Sequence, residues 1–182
     1  MRALPFFALL LSLAACNSTK NPITPKGTSL FAWDPSKATH EGFSAATIGS
    51  KTTKDFTVTV RPQGSIPFTL DLHVVTAPVD FVETGKSVHH TAPVEITAAV
   101  GDNSGWELSG KCGEGPYYQM GPVDDAGSMI TPEAMMQSCS IHHHRQEGTI
   151  FESDWQLAFT LNVFGDGKVE AFPADGIEIK AK

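Results

Sequence analysis

The chain has 182 residues, 41% hydrophobic and 18% charged, with three cysteines and a formal net charge of −7. A hydrophobic fraction of that size over this length suits one domain with a real core and is short for two. Acidic and basic residues are interspersed, and without a basic stripe the composition excludes nucleic acid as an expected partner.

Met1 and Arg2 precede an apolar run over residues 4–13 that closes on Leu13-Ala14-Ala15-Cys16, followed by polar Asn17-Ser18-Thr19-Lys20. This is the layout of a secretory signal over residues 1–15. It is too short to span a bilayer, which takes about 18 or more apolar residues. The last four residues of the run resemble the lipobox of bacterial lipoproteins. The resemblance implies that Cys16 is acylated, becomes the mature first residue and holds the protein in the lipid bilayer; two or three acyl chains anchor stably where one does not. The alternative is an ordinary secretory signal with a chance cysteine at the cut. Asn17 is not the aspartate associated with inner-membrane retention in enteric bacteria, so the outer membrane is the expected destination.

Export leads to an oxidising compartment. If Cys16 carries lipid, an even pair remains, and the count predicts a Cys112–Cys139 disulfide, the alternative being two separately buried thiols. Residues 16–29, rich in Lys, Thr, Pro, Asn and Gly, read as a flexible tether ahead of a domain over 30–182. Phe31 and Trp33 lie just beyond it, and Trp33 is expected to pack as the first strand.

Period-two alternation then recurs at Phe56, Val58 and Val60, at Phe68, Leu70, Leu72 and Val74, and at Val94, Ile96, Ala98 and Val100. It continues at Trp106, Leu108 and Cys112 and is clearest at Trp155, Leu157, Phe159, Leu161 and Val163. Gly165-Asp166-Gly167 is expected to turn that strand into one over 168–172, and Ile177 with Ile179 marks a closing strand. One short helix is expected: Thr131 as N-cap, Pro132 and Glu133 in the first turn, and two turns through Gln137. Many short strands with almost no helical period predict an all-β antiparallel sandwich. The parity of Cys112 with Leu108, and of Cys139 with Ile141, aims both thiols at the apolar side, to bridge two sheets or pin a loop.

A family resemblance adds to this. The stretch 43–60, Phe43-Ser44-Ala45-Ala46-Thr47-Ile48-Gly49-Ser50 through Phe56-Thr57-Val58-Thr59-Val60, resembles the opening of immunoglobulin-like modules of the choice-of-anchor and spindle-protein–hydin type, where it forms the first hairpin. Trp106-Glu107-Leu108-Ser109-Gly110-Lys111-Cys112 and Ser138-Cys139-Ser140-Ile141 are similar to the segment that carries that family's cysteine pair. The resemblance implies an immunoglobulin-like sandwich used for binding or spacing, with no catalytic residues to carry over. This chain departs from the family at Val60-Arg61-Pro62-Gln63-Gly64, in place of an Asn-Thr-Gly turn, and in a longer interval between the cysteines, which makes 113–137 an insertion.

Three clusters invite a chemical reading. His142-His143-His144 puts His142 and His144 on one face of a strand, where i, i+2 imidazoles can chelate Zn²⁺ or Cu²⁺. Apart from Met1, every methionine (Met120, Met129, Met135 and Met136) falls just before them, and thioethers with imidazoles in an exported protein suit copper. Against this, methionine also fills irregular cores and partner-binding surfaces. Tyr117 and Tyr118, in a Gly/Pro-rich stretch, suit a protein interface or the capping of the sandwich end. Asp124-Asp125 and Asp166 match no calcium loop and read as turn residues.

No Gly-x-Ser-x-Gly elbow, phosphate-cradling glycine loop or His-Glu-x-x-His helix is present, so no enzyme is expected. The sequence thus predicts a non-enzymatic binding or scaffold lipoprotein of an envelope protein assembly, contacting its partner through 113–137 with Tyr117, Tyr118, Met120 and Met129. Alternatives are a copper- or zinc-binding lipoprotein using His142, His144, Met135 and Met136, and an inhibitor or immunity-type lipoprotein.

Overall fold

The computed structural model describes residues 21–23, 27–38, 42–63, 67–83, 85–101, 106–118, 135–145 and 155–182. Within them the strands are β1 (Asn21–Ile23), β2 (Thr28–Ala32), β3 (Phe43–Thr47), β4 (Thr52–Val60), β5 (Phe68–Glu83) and β6 (Lys86–Val100). They continue with β7 (Trp106–Cys112), β8 (Tyr117–Tyr118), β9 (Met135–Arg145), β10 (Trp155–Phe164), β11 (Val169–Phe172) and β12 (Ile177–Ala181). One sheet has the order β1-β7-β9-β10-β11, with β8 also on β9. The other has the order β12-β4-β5-β6-β2, with β3 also on β5. Every pairing is antiparallel.

The period-two pattern becomes a two-layer core. Phe56, Val58 and Val60 of β4, Phe68, Leu70, Leu72 and Val74 of β5, and Ile96 of β6 meet Cys139 and Ile141 of β9 and Phe159, Leu161 and Val163 of β10 in one buried cluster. Each large side chain so buried contributes about 1.5–3 kcal/mol relative to exposure. Polar residues alternate on the solvent side, Thr57, Thr59, Asp71 and His73 among them. The expected all-β, immunoglobulin-like antiparallel sandwich is what these pairings form.

Midway along β5 the buried parity changes. Val75 pairs with Glu95 and Thr76 with Pro93, so Val94 is an extra residue on β6, a β-bulge. Before it the even residues of β5 are buried; beyond it Ala77, Val79 and Phe81 are. The last two form a second cluster with Ala45, Ala92 and Met135. Trp33 packs on this cluster, on the main one and on the small group Val75, Ala77 and Val94. It lies just past β2, donates its N–H to the Val94 carbonyl at 2.8 Å and stacks on Phe81 at 6.1 Å between centroids.

The turn at 165–168 follows the expected chemistry. Gly167 takes φ +79°, the Phe164 N–H donates to the Lys168 carbonyl at 2.9 Å, and Asp166 Oδ1 accepts from the Lys168 N–H at 2.8 Å. The closing strand β12 pairs with β4. There Glu178 accepts from Lys180 at 2.7 Å and Arg61 at 3.0 Å, and these two bonds, Lys180's first, hold its carboxyl below the usual glutamate range. A depressed carboxylate stabilises above its unfolded pKa and loses that contribution as pH falls through the folded value. The protection of the Ile177 and Ile179 amides, their exchange rate relative to that of a free peptide, is therefore expected to fall as pH drops below the usual glutamate range, before that of Leu70 and Leu72, and an equal loss of protection at both places would refute this.

Four sequence expectations are corrected. The helix through Gln137 is not formed at its end: Met135, Met136 and Gln137 open β9, paired with Tyr118, Tyr117 and β10, and cross-strand partners override a weak helical propensity. Thr131 to Ala134 lie outside the described residues. The only helical element described is a 3-10 turn at Pro35–Lys37, where Asp34 Oδ1 accepts from the Ser36 N–H at 3.1 Å. Part of the stretch read as tether is strand: β1 pairs with β7, and β2 begins at Thr28. An edge strand is held by backbone hydrogen bonds and needs little apolar composition. The first hairpin implied by the resemblance is absent, since β3 pairs with Val79 to Glu83 and β4 with Phe68 to Thr76, both along the same edge of β5. Finally, of the two placements expected for the disulfide, the bridge between sheets is not formed: the bond joins neighbouring strands of one sheet and pins the base of the loop that follows Cys112.

Candidate functional site

β9 is the axis of the site. Its one edge is paired first by β8 and then by β7, its other edge by β10. Cys112 stands directly opposite Cys139, and the two sulfurs are bonded at 2.02 Å. From Cys112 the chain leaves the edge, so that the four residues 113–116 face only Gln137 and Ser138, and it returns with Tyr117 opposite Met136 and Tyr118 opposite Met135. The excursion 113–137 is thus closed at its base by a covalent bond and by strand pairing.

Two hydrogen bonds tighten that base. The Gly113 N–H donates to the Ser138 carbonyl at 3.3 Å, and Gln137 Nε2 donates to the Gly113 carbonyl at 2.9 Å. Gln137 lies on the inward face of β9 between Met135 and Cys139 and is fully buried. Its Oε1 is also buried and has no hydrogen-bond partner. Gly115 passes over the Trp33 indole, where a Cβ would stand 3.6 Å from Nε1. Tyr117, at the end of this loop, is 45% exposed.

An unpartnered buried carbonyl costs about 1–3 kcal/mol, and the amide's one bond returns about 1 kcal/mol. Gly113 is exposed, so water can replace the lost donor. Gln137→Met is therefore expected to leave stability unchanged or raise it by about 1 kcal/mol, read from the urea midpoint. A loss above about 2 kcal/mol would show that the amide is satisfied in solution.

The residues named from sequence distribute unevenly. Met135 is a core residue, 4% exposed, and Met136 is half-buried. His142 is half-buried on the opposite face of β9 from Ile141. Along an extended strand at about 3.3 Å per residue, His142 lies roughly 20 Å from Met136 and farther from Met135. The expected donor set of His142 with Met135 and Met136 therefore cannot meet one ion, because extended backbone separates what a helix would have brought closer. The side chains of His144 and Tyr118 lie outside the described residues, as do Cys16, Met120 and Met129. Among the described residues no three His, Cys, Asp or Glu side chains are placed to hold a metal.

Sequence reading missed the carboxylate partners of two histidines. His73 Nδ1 is 2.7 Å from Asp55 Oδ1, and His89 Nδ1 is 3.2 Å from Asp80 Oδ1, which also accepts from the Ser87 hydroxyl. Each histidine stands directly across a strand pair from its aspartate. Only the register reveals this, and the register of β5 with β6 depends on the bulge. Both pairs are on solvent-facing positions; in the second, Ser87 and His89 both bond to Asp80, whereas a catalytic triad sets the histidine between the serine and the carboxylate.

No family model, curated protein or solved structure matches the chain. The stapled base is therefore judged on its own chemistry. It offers an exposed aromatic ring, Tyr117, on a strand segment paired to β9 beside the disulfide. Such a surface suits recognition.

Proposed function

We propose that the protein is a lipid-anchored lipoprotein of the bacterial envelope, resembling the choice-of-anchor immunoglobulin-like modules, that acts as a non-enzymatic binding or scaffold subunit. Its contact surface is the excursion 113–137. The observation that carries this is the disulfide-closed base: the chain leaves the sheet edge after Cys112 and pairs with β9 again at Tyr117 and Tyr118, with Tyr117 exposed. Preorganisation lowers the ordering cost of binding. The anchor reading rests on Leu13-Ala14-Ala15-Cys16, and Asn17 favours the outer membrane. An inhibitor or immunity-type role would use the same surface and differ in partner.

Two measurements test this. The mass of the mature N-terminus is expected to show an acylated Cys16; an unmodified Cys16 or a retained Met1 removes the anchor. Capture of the tagged lipoprotein from detergent-solubilised membranes is expected to recover one envelope protein at near-equal amounts, with recovery at least tenfold lower for Tyr117→Ala, a loss of about 1.4 kcal/mol or more. Recovery of the lipoprotein alone, or equal recovery with the variant, refutes the contact surface.

A further inference from the structure

The pairing of β1 leaves a short leash between the anchor and the fold. With the lipid on Cys16, only the five residue steps from 16 to 21 separate the bilayer from the first strand fixed in a sheet. Fully extended, they span about 18 Å at most, whereas a tether running to residue 29 would reach about 45 Å. Asn21 pairs with Gly110, and β1 ends its sheet as β2 ends the other. These two edge strands lie against each other along one side of the sandwich, and β11 and β12 lie together along the opposite side. Four strand spacings of about 4.8 Å place β11 roughly 19 Å from β1, before its outward side chains are counted. The leash therefore cannot bring the β11–β12 side down onto the bilayer. Nor can the domain stand on the end that carries the excursion, because Met135 lies about 20 Å along β9 from Ile141, which is level with Gly110 and Asn21.

We infer that the β1–β2 side of the sandwich rests on the lipid surface that holds Cys16, a bilayer with anionic headgroups, and that the short leash keeps it there with the β11–β12 side facing away. Composition agrees. Neither Asp nor Glu occurs between Cys16 and Trp33, a stretch that includes Lys20 and Lys26, although the chain has 20 acidic residues. Anionic headgroups repel carboxylates and attract lysines. β1 and β2 contain no ionisable residue, whereas β11 carries Glu170 and β12 carries Glu178 and Lys180. Lys111, next to Gly110, is exposed, and Asp34 and Lys37, just past β2, pair with each other at 3.5 Å. The inference rests on the anchor reading above and deepens it. The base of the excursion starts two residues along β7 from Gly110, so its partner is met close to the same membrane.

The test places the full lipoprotein in nanodiscs of phosphatidylethanolamine and phosphatidylglycerol that contain a gadolinium-chelating headgroup lipid. Paramagnetic relaxation of backbone amides falls with the sixth power of distance. It is expected to be roughly tenfold or more stronger at Ser29, Leu30 and Lys111 than at Glu170, Ala171 and Lys180, about 19 Å farther from the lipid. Inserting about ten Gly and Ser residues between Lys20 and Asn21 is expected to reduce that contrast to below roughly threefold. Equal relaxation on the two sides, or stronger relaxation at β11 and β12, overturns the inference. So does relaxation as strong at Thr160 and Asn162 of β10, as in a domain lying flat, or a contrast that the insertion leaves unchanged. The mass of the mature N-terminus separates the readings: without acyl chains on Cys16 both fall, and with them an even relaxation profile removes only this orientation.

Discussion

Gly165→Ala is expected to destabilise the domain by about 3 kcal/mol, the upper end for forced overpacking. A Cβ at this position would lie 1.8 Å from the Thr91 carbonyl oxygen and 2.6 Å from its carbon. On the other side the Gly165 N–H donates to the Met135 carbonyl at 2.6 Å. The residue is thus clasped between β6 of one sheet and β9 of the other, and neither neighbour is a side chain that can rotate away. The urea midpoint should fall with little change in slope. Gly85→Ala is the control: Gly85 has φ +79° but nothing within 4 Å of where a Cβ would stand, so only the left-handed backbone penalty of about 1–2 kcal/mol applies. If Gly165→Ala costs no more than Gly85→Ala, the close approach of the sheets is not real.

Reducing Cys112–Cys139 is expected to cost about 3.5 kcal/mol, from the chain entropy of a loop closed over a sequence separation of 27. For a domain of this size that lowers the melting temperature by roughly 10 °C. The stability of a domain is about 5–15 kcal/mol, so the reduced form remains folded at room temperature. Urea unfolding with and without dithiothreitol reads the difference. A change below about 1 kcal/mol would mean that the excursion is already restrained in the unfolded chain, and a reduced protein with no folded baseline would show that the sheets depend on the bond.

The strands with unbroken alternation were legible from sequence. Phe68, Leu70, Leu72 and Val74 alternate with Thr69, Asp71 and His73 because one face meets the core and the other meets water. The far halves of β5 and β6 were not. Val94 leaves no compositional mark as an extra residue, and Pro78 and Pro93 have no N–H to give to a ladder. In the structure Pro93 sits beside the bulge, where the ladder is already interrupted and its missing N–H costs least. The Thr131-Pro132-Glu133 signature reads locally as a helix start, yet Met135 to Gln137 are claimed by partners on both edges of β9, and such nonlocal pairing is invisible to a propensity.

For the site, counting gave the disulfide pair, while its place within a single sheet required the register. Of the methionines, Met135 and Met136 are neighbours on β9 but alternate between its two faces, and Met120 and Met129 lie outside the described residues. Met135 is spent on the cluster with Val79 and Phe81, and Tyr117, opposite the next residue Met136, is exposed. Gln137 gave no warning at all, since a single glutamine among polar and apolar neighbours carries no periodic signal.

The closed base of the excursion also bears on how this protein can change over generations. Because Cys112, Cys139 and the paired residues just beyond them fix where the excursion starts and ends, its length adds only a slowly growing closure entropy, about 0.6 kcal/mol for each doubling. A change in the length of 119–134 therefore carries only this small closure term, so the span between the two fixed ends can vary between generations without moving them.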